Sequence, residues 1–396
     1  MTKVQNKEQK KEQNKEQNIE QNIEQKTVQN RKGNTTAYLA KQILEWHKDH
    51  RRELPWRKDQ DPYHVWVSEI MLQQTRIEAV IPYYERFLKE LPEISDLAQC
   101  PDEKLMKLWE GLGYYSRVRN LKKAAKQIMD EYGGKFPEEP KDILGLAGIG
   151  AYTAGAVGSI CFGNQTPAVD GNVLRIWMRY FAEDSCIDDA RVKKEVTEKL
   201  ALVYKKDTAK ALTEGLMELG QTVCIPNGRA KCEDCPLQKK CRGCIEKNWD
   251  LFPVRAAKKA RKVEKKIVYV LITDDQRIIV EKRGDTGLLA GMWQFPNAKL
   301  EKLDAEKQDQ VFLKCGINLR EIFAKIPYKH IFSHVEWDME SHYYKIDLDE
   351  EKLAKNSNYL AVSMDKLKEE YAIPSAFQPF LKNAEKLLFV FILTCE

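Results

Sequence analysis

Apolar residues recur at helical spacing from Thr35 to Phe87, and Leu54-Pro55-Trp56-Arg57 breaks the first helix from the next. The second predicted helix begins near Pro62 and carries DPYHVWVSEIMLQQTRIEAVIPYYERF. LWEGLGYYSRVRNLKKAAKQI adds more helix around a Gly111-Leu112-Gly113-Tyr114 turn. Gly148-Ile149-Gly150 makes a second such turn, and Ala151 to Cys161 is rich in the small residues that let helices approach closely. Helical spacing resumes after Asn172 and lasts to Gly220. At Ile267 the period becomes strand-like: IVYVLI, a DDQ turn, then RIIVEKR. HIFSHVEWDMESHYY alternates; as one unbroken strand it turns Ile331, Val335, Trp337 and Met339 to a core and His330, Phe332, His334, Glu336 and His342 outward. The closing LLFVFIL, 387–393, is too short to span a membrane and reads as a terminal strand.

The pattern divides the chain. Residues 1–33 repeat EQNK and EQNI with almost nothing to bury, which predicts a disordered low-complexity tail. Residues 34–250 form a helical domain, 251–266 a linker with seven basic residues against one acid, 267–385 an α/β domain, and 386–396 a C-terminal tail. With 65 basic and 60 acidic residues the net charge is +5, so any affinity for nucleic acid has to come from local patches. Neither a signal peptide nor a span of about 20 apolar residues is present, which predicts a soluble, cytoplasmic protein. In that compartment the ten cysteines need a reason other than disulfides.

Cys224, Cys232, Cys235 and Cys241 read C-x7-C-x2-C-x5-C, with Cys244 three residues further on. Such clustering indicates a metal site. The set 224/232/235/241 suits a [4Fe-4S] cluster; the set 232/235/241/244 makes two CxxC pairs, but zinc pairs usually lie about 12 to 20 residues apart. The iron–sulfur reading is favoured, with its loop at 224–241. Glu69 is the only carboxylate between Asp61 and Glu78 and sits among Trp66, Val67, Ile70, Met71 and Leu72. It is either a general acid with a raised pKa or part of a polar face shared with Ser68 and Gln73. Asp170, in AVDGNV, either caps the next helix or sets a carboxylate beside a substrate. The Gly148/Gly150 turn exposes N–H groups that can hold a DNA phosphate, as in a helix-hairpin-helix. Tyr114 and the following Arg117, Arg119, Lys122 and Lys123 suit a base-stacking wedge with phosphate-binding neighbours, or a tyrosine that fills the core.

Together, VWVSEIMLQQT, GLGYYSR, LAGIGAYTAGAV, AVDGNV, the cysteine cluster and the FSH triplet resemble the adenine DNA glycosylases of the MutY type, over nearly everything from Leu54 to about Phe380. The resemblance implies a multidomain fold: an all-α helix-hairpin-helix glycosylase core with an iron–sulfur cluster subdomain, and a C-terminal α/β Nudix-like domain that recognises 8-oxoguanine. It implies removal of adenine mispaired with 8-oxoguanine or guanine in double-stranded DNA, by a nucleoid-associated monomer. It makes Glu69 the acid that protonates adenine, Asp170 the carboxylate that stabilises an oxocarbenium-like sugar, Asn172 the residue orienting it, and Tyr152 part of the site's lining. A flipped adenine leaves only if both its own charge and the sugar's are balanced, so two carboxylates of different pKa are needed. Arg57, Leu72 and Glu214 match adenine-pocket positions, Gln74 and Tyr114 residues inserted near 8-oxoguanine, and Phe332, Ser333 and His334 the loop that reads it. The sister endonuclease III branch has a Schiff-base lysine where Tyr152 stands, so a monofunctional enzyme is expected. The first cysteine gap is one residue longer than the family's commonest, and the magnesium-binding REx2EExG motif of Nudix hydrolases is absent, so the second domain is expected to read a base and hydrolyse nothing.

Overall fold

The computed structural model describes residues 35–257, 260–355 and 358–394. The tail expected over 1–33 lies outside them. Among the described residues no helix is long and apolar enough to cross a membrane. The chain forms two compact units, one from the residues up to Glu69 plus Lys135–Ala257, the other from Ile70–Gly134 plus the chain from Lys258 onward.

The helical region carries α1 (35–50), α2 (Pro62–Met71), α3 (Ile77–Glu90), α4 (Ile94–Gln99), α5 (Asp102–Leu108), α6 (Ser116–Tyr132), α7 (Pro140–Gly145), α8 (Ala151–Phe162), α9 (Gly171–Phe181), α10 (Ala190–Ala201), α11 (Ala209–Thr222) and α12 (Arg242–Ile245). Helices α3 to α6 belong to the second unit and the rest, save the last two residues of α2, to the first. Every residue of α2 from Val65 to Met71 is buried, so the polar face expected around Ser68 and Glu69 does not exist. Ser68 is satisfied by the Val65 carbonyl at 2.7 Å. The single helix expected from Pro62 to Phe87 is two helices: Gln74 takes a left-handed conformation at φ 61°, which ends α2 before α3 starts. In the first unit, Ile43 of α1, Trp177 and Met178 of α9, Leu200 of α10 and Leu212 and Leu219 of α11 build the core.

In the second unit a seven-stranded sheet has the order β3-β2-β1-β6-β5, with β4 on β1 and β7 on β2. Its strands are β1 (Lys262–Thr273), β2 (Arg277–Lys282), β3 (Trp293–Gln294), β4 (Asn297–Lys299), β5 (Ile317–Ile331), β6 (Val335–Leu348) and β7 (Tyr359–Ser363). Strand β1 pairs in parallel with β6 and antiparallel with β2. Its residues alternate between two cores: Val268, Val270 and Ile272 meet Trp337, Phe295 and Phe377, whereas Ile267, Tyr269 and Leu271 meet Phe312 and Ile346. Helices α13 (Ala305–Lys314), α14 (Glu350–Ala354), α15 (Met364–Glu370) and α16 (Gln378–Thr394) complete the unit.

Three expectations change here. Strand β1 begins at Lys262, inside the expected linker, because Lys262–Lys266 pair with Val335–Met339 by backbone bonds that leave no apolar signature. The alternating stretch is not one strand: it folds over at 332–334, leaving Ile331 exposed while Val335, Trp337 and Met339 face the core. The closing apolar run is helical, the end of α16, which starts well before residue 386.

Candidate active site

In the first unit Glu69 is 5% exposed. Burial pushes its carboxyl up to about 7; the Tyr152 hydroxyl donated to it and the charge of Arg57 oppose the rise, and the carboxylate of Asp170 adds to it. A carboxyl at that value is half protonated near neutrality and can hand a proton to a base. The hydroxyl of Tyr152, on the first turn of α8, stays protonated because burial and the two neighbouring carboxylates raise its pKa far above normal.

Asp170 is half-buried and caps α9. Its Oδ1 accepts the Asn172 and Val173 amides, each at 2.9 Å, and its Oδ2 accepts Asn172 Nδ2 at 2.7 Å. The capping reading of Asp170 therefore holds, and its charge also acts on Glu69. Asn172 is fixed in turn by Arg175 Nη2, 2.8 Å from its Oδ1, while the same guanidinium reaches the Gly220 carbonyl at 2.7 Å. Helix α11 can approach only because residue 220 is glycine: a Cβ there would lie 2.6 Å from Asn172 Cβ.

Arg57 approaches this pair, and its Nη1 bonds the carboxylate of Glu218, which Arg52 also reaches at 2.6 Å. Glu214 is 2% exposed and Glu218 fully buried, one turn apart on α11. Burial alone would raise the Glu214 carboxyl, but His47 Nε2 3.4 Å away, the hydrogen bond from Arg51 and the Arg57 charge outweigh it and hold it at about 2. Glu69 and Glu214 are thus buried carboxyls displaced in opposite directions: burial prevails at Glu69, whereas cationic partners prevail at Glu214. Sequence reasoning passed over Glu218, His47, Arg51 and Arg52. Two acids four residues apart in the otherwise apolar LTEGLMELG were the available signal, since buried acids require cationic partners.

Gly148, at φ 76°, turns the chain between α7 and α8, and Gly150 precedes the first residue of α8. The cysteine loop packs against the first-unit core through Cys224, Cys235 and Cys241. Arg179 Nη1 lies 3.4 Å from Cys224 Sγ, and Cys232 is hydrogen-bonded to Cys244. Among the described residues no three His, Cys, Asp or Glu side chains converge as a metal site. The donor chemistry nonetheless fits a thiolate-held cluster: clustered thiols at the edge of a core, one facing a guanidinium.

In the second unit Leu72 and Gln74 lie on the turn after α2, Leu72 half-buried and Gln74 exposed. Tyr114 is exposed and left-handed at φ 47°, and its hydroxyl meets Ser333 Oγ at 2.5 Å. Ser333 and His334 are the exposed tip of the β5–β6 hairpin, and Phe332 lies edge-on to His330 at 4.6 Å and to Trp337 at 4.8 Å. Tyr114 and the FSH triplet, more than 200 residues apart in sequence, are thereby joined. Arg117 does not face outward to phosphate as expected; backbone carbonyls occupy it.

Comparison with known proteins follows these lines. The model of the HhH-GPD superfamily base excision DNA repair proteins matches residues 67–202, and that of the NUDIX domain matches residues 267–383. The adenine DNA glycosylase of Buchnera aphidicola subsp. Schizaphis graminum (strain Sg) is 35% identical over 304 residues, 76% of this chain and 85% of its own. That of Buchnera aphidicola subsp. Acyrthosiphon pisum (strain APS) is 31% identical over 358 residues, 89% of this chain and 100% of its own. A solved structure of a thermostable thymine-DNA glycosylase is similar with a TM-score of 0.50 and 28% identity, covering 55% of this chain and 99% of that one.

Proposed function

Because the chain belongs to the adenine DNA glycosylase family, a family of base-excision-repair enzymes that bind DNA and hydrolyse N-glycosyl bonds to release adenine, we propose that its substrate is adenine opposite 8-oxoguanine or guanine in duplex DNA. The observation that carries the chemistry is the pairing of Glu69, held near a pKa of 7 by burial, with the half-buried, amide-bound Asp170. Glu69 protonates the flipped adenine and makes it a neutral leaving group. Asp170, oriented by two backbone amides and Asn172, stabilises the positive sugar that remains. Tyr152 steadies the Glu69 carboxylate once its proton has gone. With tyrosine in place of an amine nucleophile, the enzyme stops at the abasic site and is monofunctional. Arg57 and Glu214 frame the adenine, and the Gly148/Gly150 turn at the start of α8 offers amides to the DNA backbone. Gln74, Tyr114, Phe332, Ser333 and His334 read the opposite base.

Cys224, Cys232, Cys235 and Cys241 would hold a [4Fe-4S] cluster, which when bound staples the loop over 224–241 without entering the reaction. Iron and sulfide analysis of the purified protein tests this: about four of each per chain is expected, and zinc instead favours the 232/235/241/244 set. The reaction is tested by single-turnover base release from duplexes with adenine opposite 8-oxoguanine, guanine or thymine, scoring strand breakage with and without alkali. Fast release opposite 8-oxoguanine, slower release opposite guanine and breakage only after alkali are expected. Breakage without alkali means a lyase, and no release from any duplex means a DNA-binding protein without this activity.

A further inference from the structure

Arg117 is the second residue of α6, and its guanidinium is spent on two turns at once. Nη1 reaches the carbonyls of Ile70 at 2.7 Å, Met71 at 3.2 Å and Gln73 at 2.8 Å; Nη2 reaches those of Leu112 at 3.0 Å and Gly113 at 3.2 Å. The first two are carbonyls at the C-terminus of α2, which lack helical partners and attract a cation. The remainder belong to the turns that carry Gln74 and Tyr114. Both of those residues are left-handed non-glycines, at φ 61° and 47°, a conformation that persists only where surroundings enforce it. The guanidinium also lies 5.4 Å from the Trp109 ring and 5.5 Å from the Tyr114 ring, and Trp109 Nε1 donates to the Gly113 carbonyl at 3.1 Å.

We propose that Arg117 is a positioning residue for opposite-base discrimination: it fuses the Gln74 turn and the Tyr114 turn into one rigid reading element. The inference rests on the reading that Gln74 and Tyr114 sit near the base opposite adenine. Lysine preserves the charge but presents three donors from one point and cannot span two turns the way a planar fork does. Arginine is thus required for geometry rather than charge. Because Tyr114 also meets Ser333, the same brace fixes the point where the hairpin tip joins the element.

The test is Arg117→Lys in the full chain, measured by single-turnover release at saturating enzyme on adenine opposite 8-oxoguanine and opposite guanine, across pH. Release opposite 8-oxoguanine is expected to fall more than release opposite guanine, so that the preference drops at least tenfold while the pH midpoint near 7 stays. A preference within twofold of wild type, an equal loss on both duplexes, or a moved midpoint overturns the proposal. A wild type with no preference overturns it together with the reading it rests on, whereas a discriminating wild type and an equally discriminating variant defeat this inference alone. Should the variant not fold, hydrogen exchange of the wild type decides. The amide of Thr75, bonded to Leu72 O at 3.3 Å, and that of Leu112, bonded to Trp109 O at 3.1 Å, report on the two turns. They are expected to exchange within about threefold of one another, as one opening unit; a tenfold or larger gap contradicts the fusion.

Discussion

Glu69 allows the sharpest prediction, because its displaced pKa ties rate and stability to the same proton. The carboxyl moves from 4.5 to about 7, chiefly through burial, with the charge of Asp170 adding to the rise. In the proposed role of general acid it would work only when protonated, so base release should be flat below about pH 6 and fall about tenfold between pH 6 and pH 8. The stability effect has the same sign. The folded state binds this proton more tightly than the unfolded state, so the contribution is complete below 4.5 and is lost as pH rises through 7, amounting to about 3 kcal/mol by pH 8. Glu69→Gln removes the charge, and with it both effects: no base release, but a protein whose denaturant midpoint at pH 8 lies above that of wild type. Single-turnover rates from pH 5 to 9, beside urea unfolding at pH 5 and pH 8, measure the two. A rate still climbing below pH 6 toward 4.5, or Glu69→Gln less stable than wild type at pH 8, would refute the buried-acid reasoning.

Other substitutions probe the neighbouring framework. Glu218→Gln leaves Arg52 and Arg57 without their buried counter-charge and should cost about 3 kcal/mol in urea unfolding, whereas a loss under 1 kcal/mol would mean that water replaces it. Gly220→Ala places a methyl 2.6 Å from Asn172 Cβ and should cost about 1–3 kcal/mol while slowing release through the displaced Asn172–Asp170 bond; unchanged kinetics would detach Asn172 from the site. Ser333→Ala removes one exposed hydrogen bond to Tyr114 and should change stability by less than about 1 kcal/mol, yet weaken the preference for 8-oxoguanine over guanine in the same release assay.

What the sequence made legible was local. The Asp170 cap and its helix, the small-residue helix α8, and the β1–β2 pair with its turn all follow from residues within a few positions of one another. Trp337 and Met339 were placed correctly on the core face because period-2 alternation survives inside β6. What stayed hidden was set from far along the chain. Nothing near Gln74 announces a left-handed residue; the carbonyls around it are held by Arg117, over forty positions away. The fold at 332–334 was masked because Ile331 is an apolar odd-numbered residue like Val335, Trp337 and Met339, although the buried face changes phase across the tip and leaves it exposed; LLFVFIL is too evenly apolar to distinguish a strand from the end of a helix. At the site the same rule holds: Glu69 and Asp170 stand out by local company, whereas the partners of Glu214 and Glu218 come from residues 47–57 and become visible only once α11 has packed.

The most direct measurement compares wild type, Glu69→Gln and Asp170→Asn for single-turnover adenine release from a duplex carrying adenine opposite 8-oxoguanine, with duplex affinity measured in parallel. Both variants are expected to bind the duplex within about tenfold of wild type and to lose release by at least about a thousandfold, the scale on which removing a positioned acid or an electrostatic stabiliser is felt. Near wild-type release by either variant would contradict the role given to that carboxylate, and with it the two-carboxylate site.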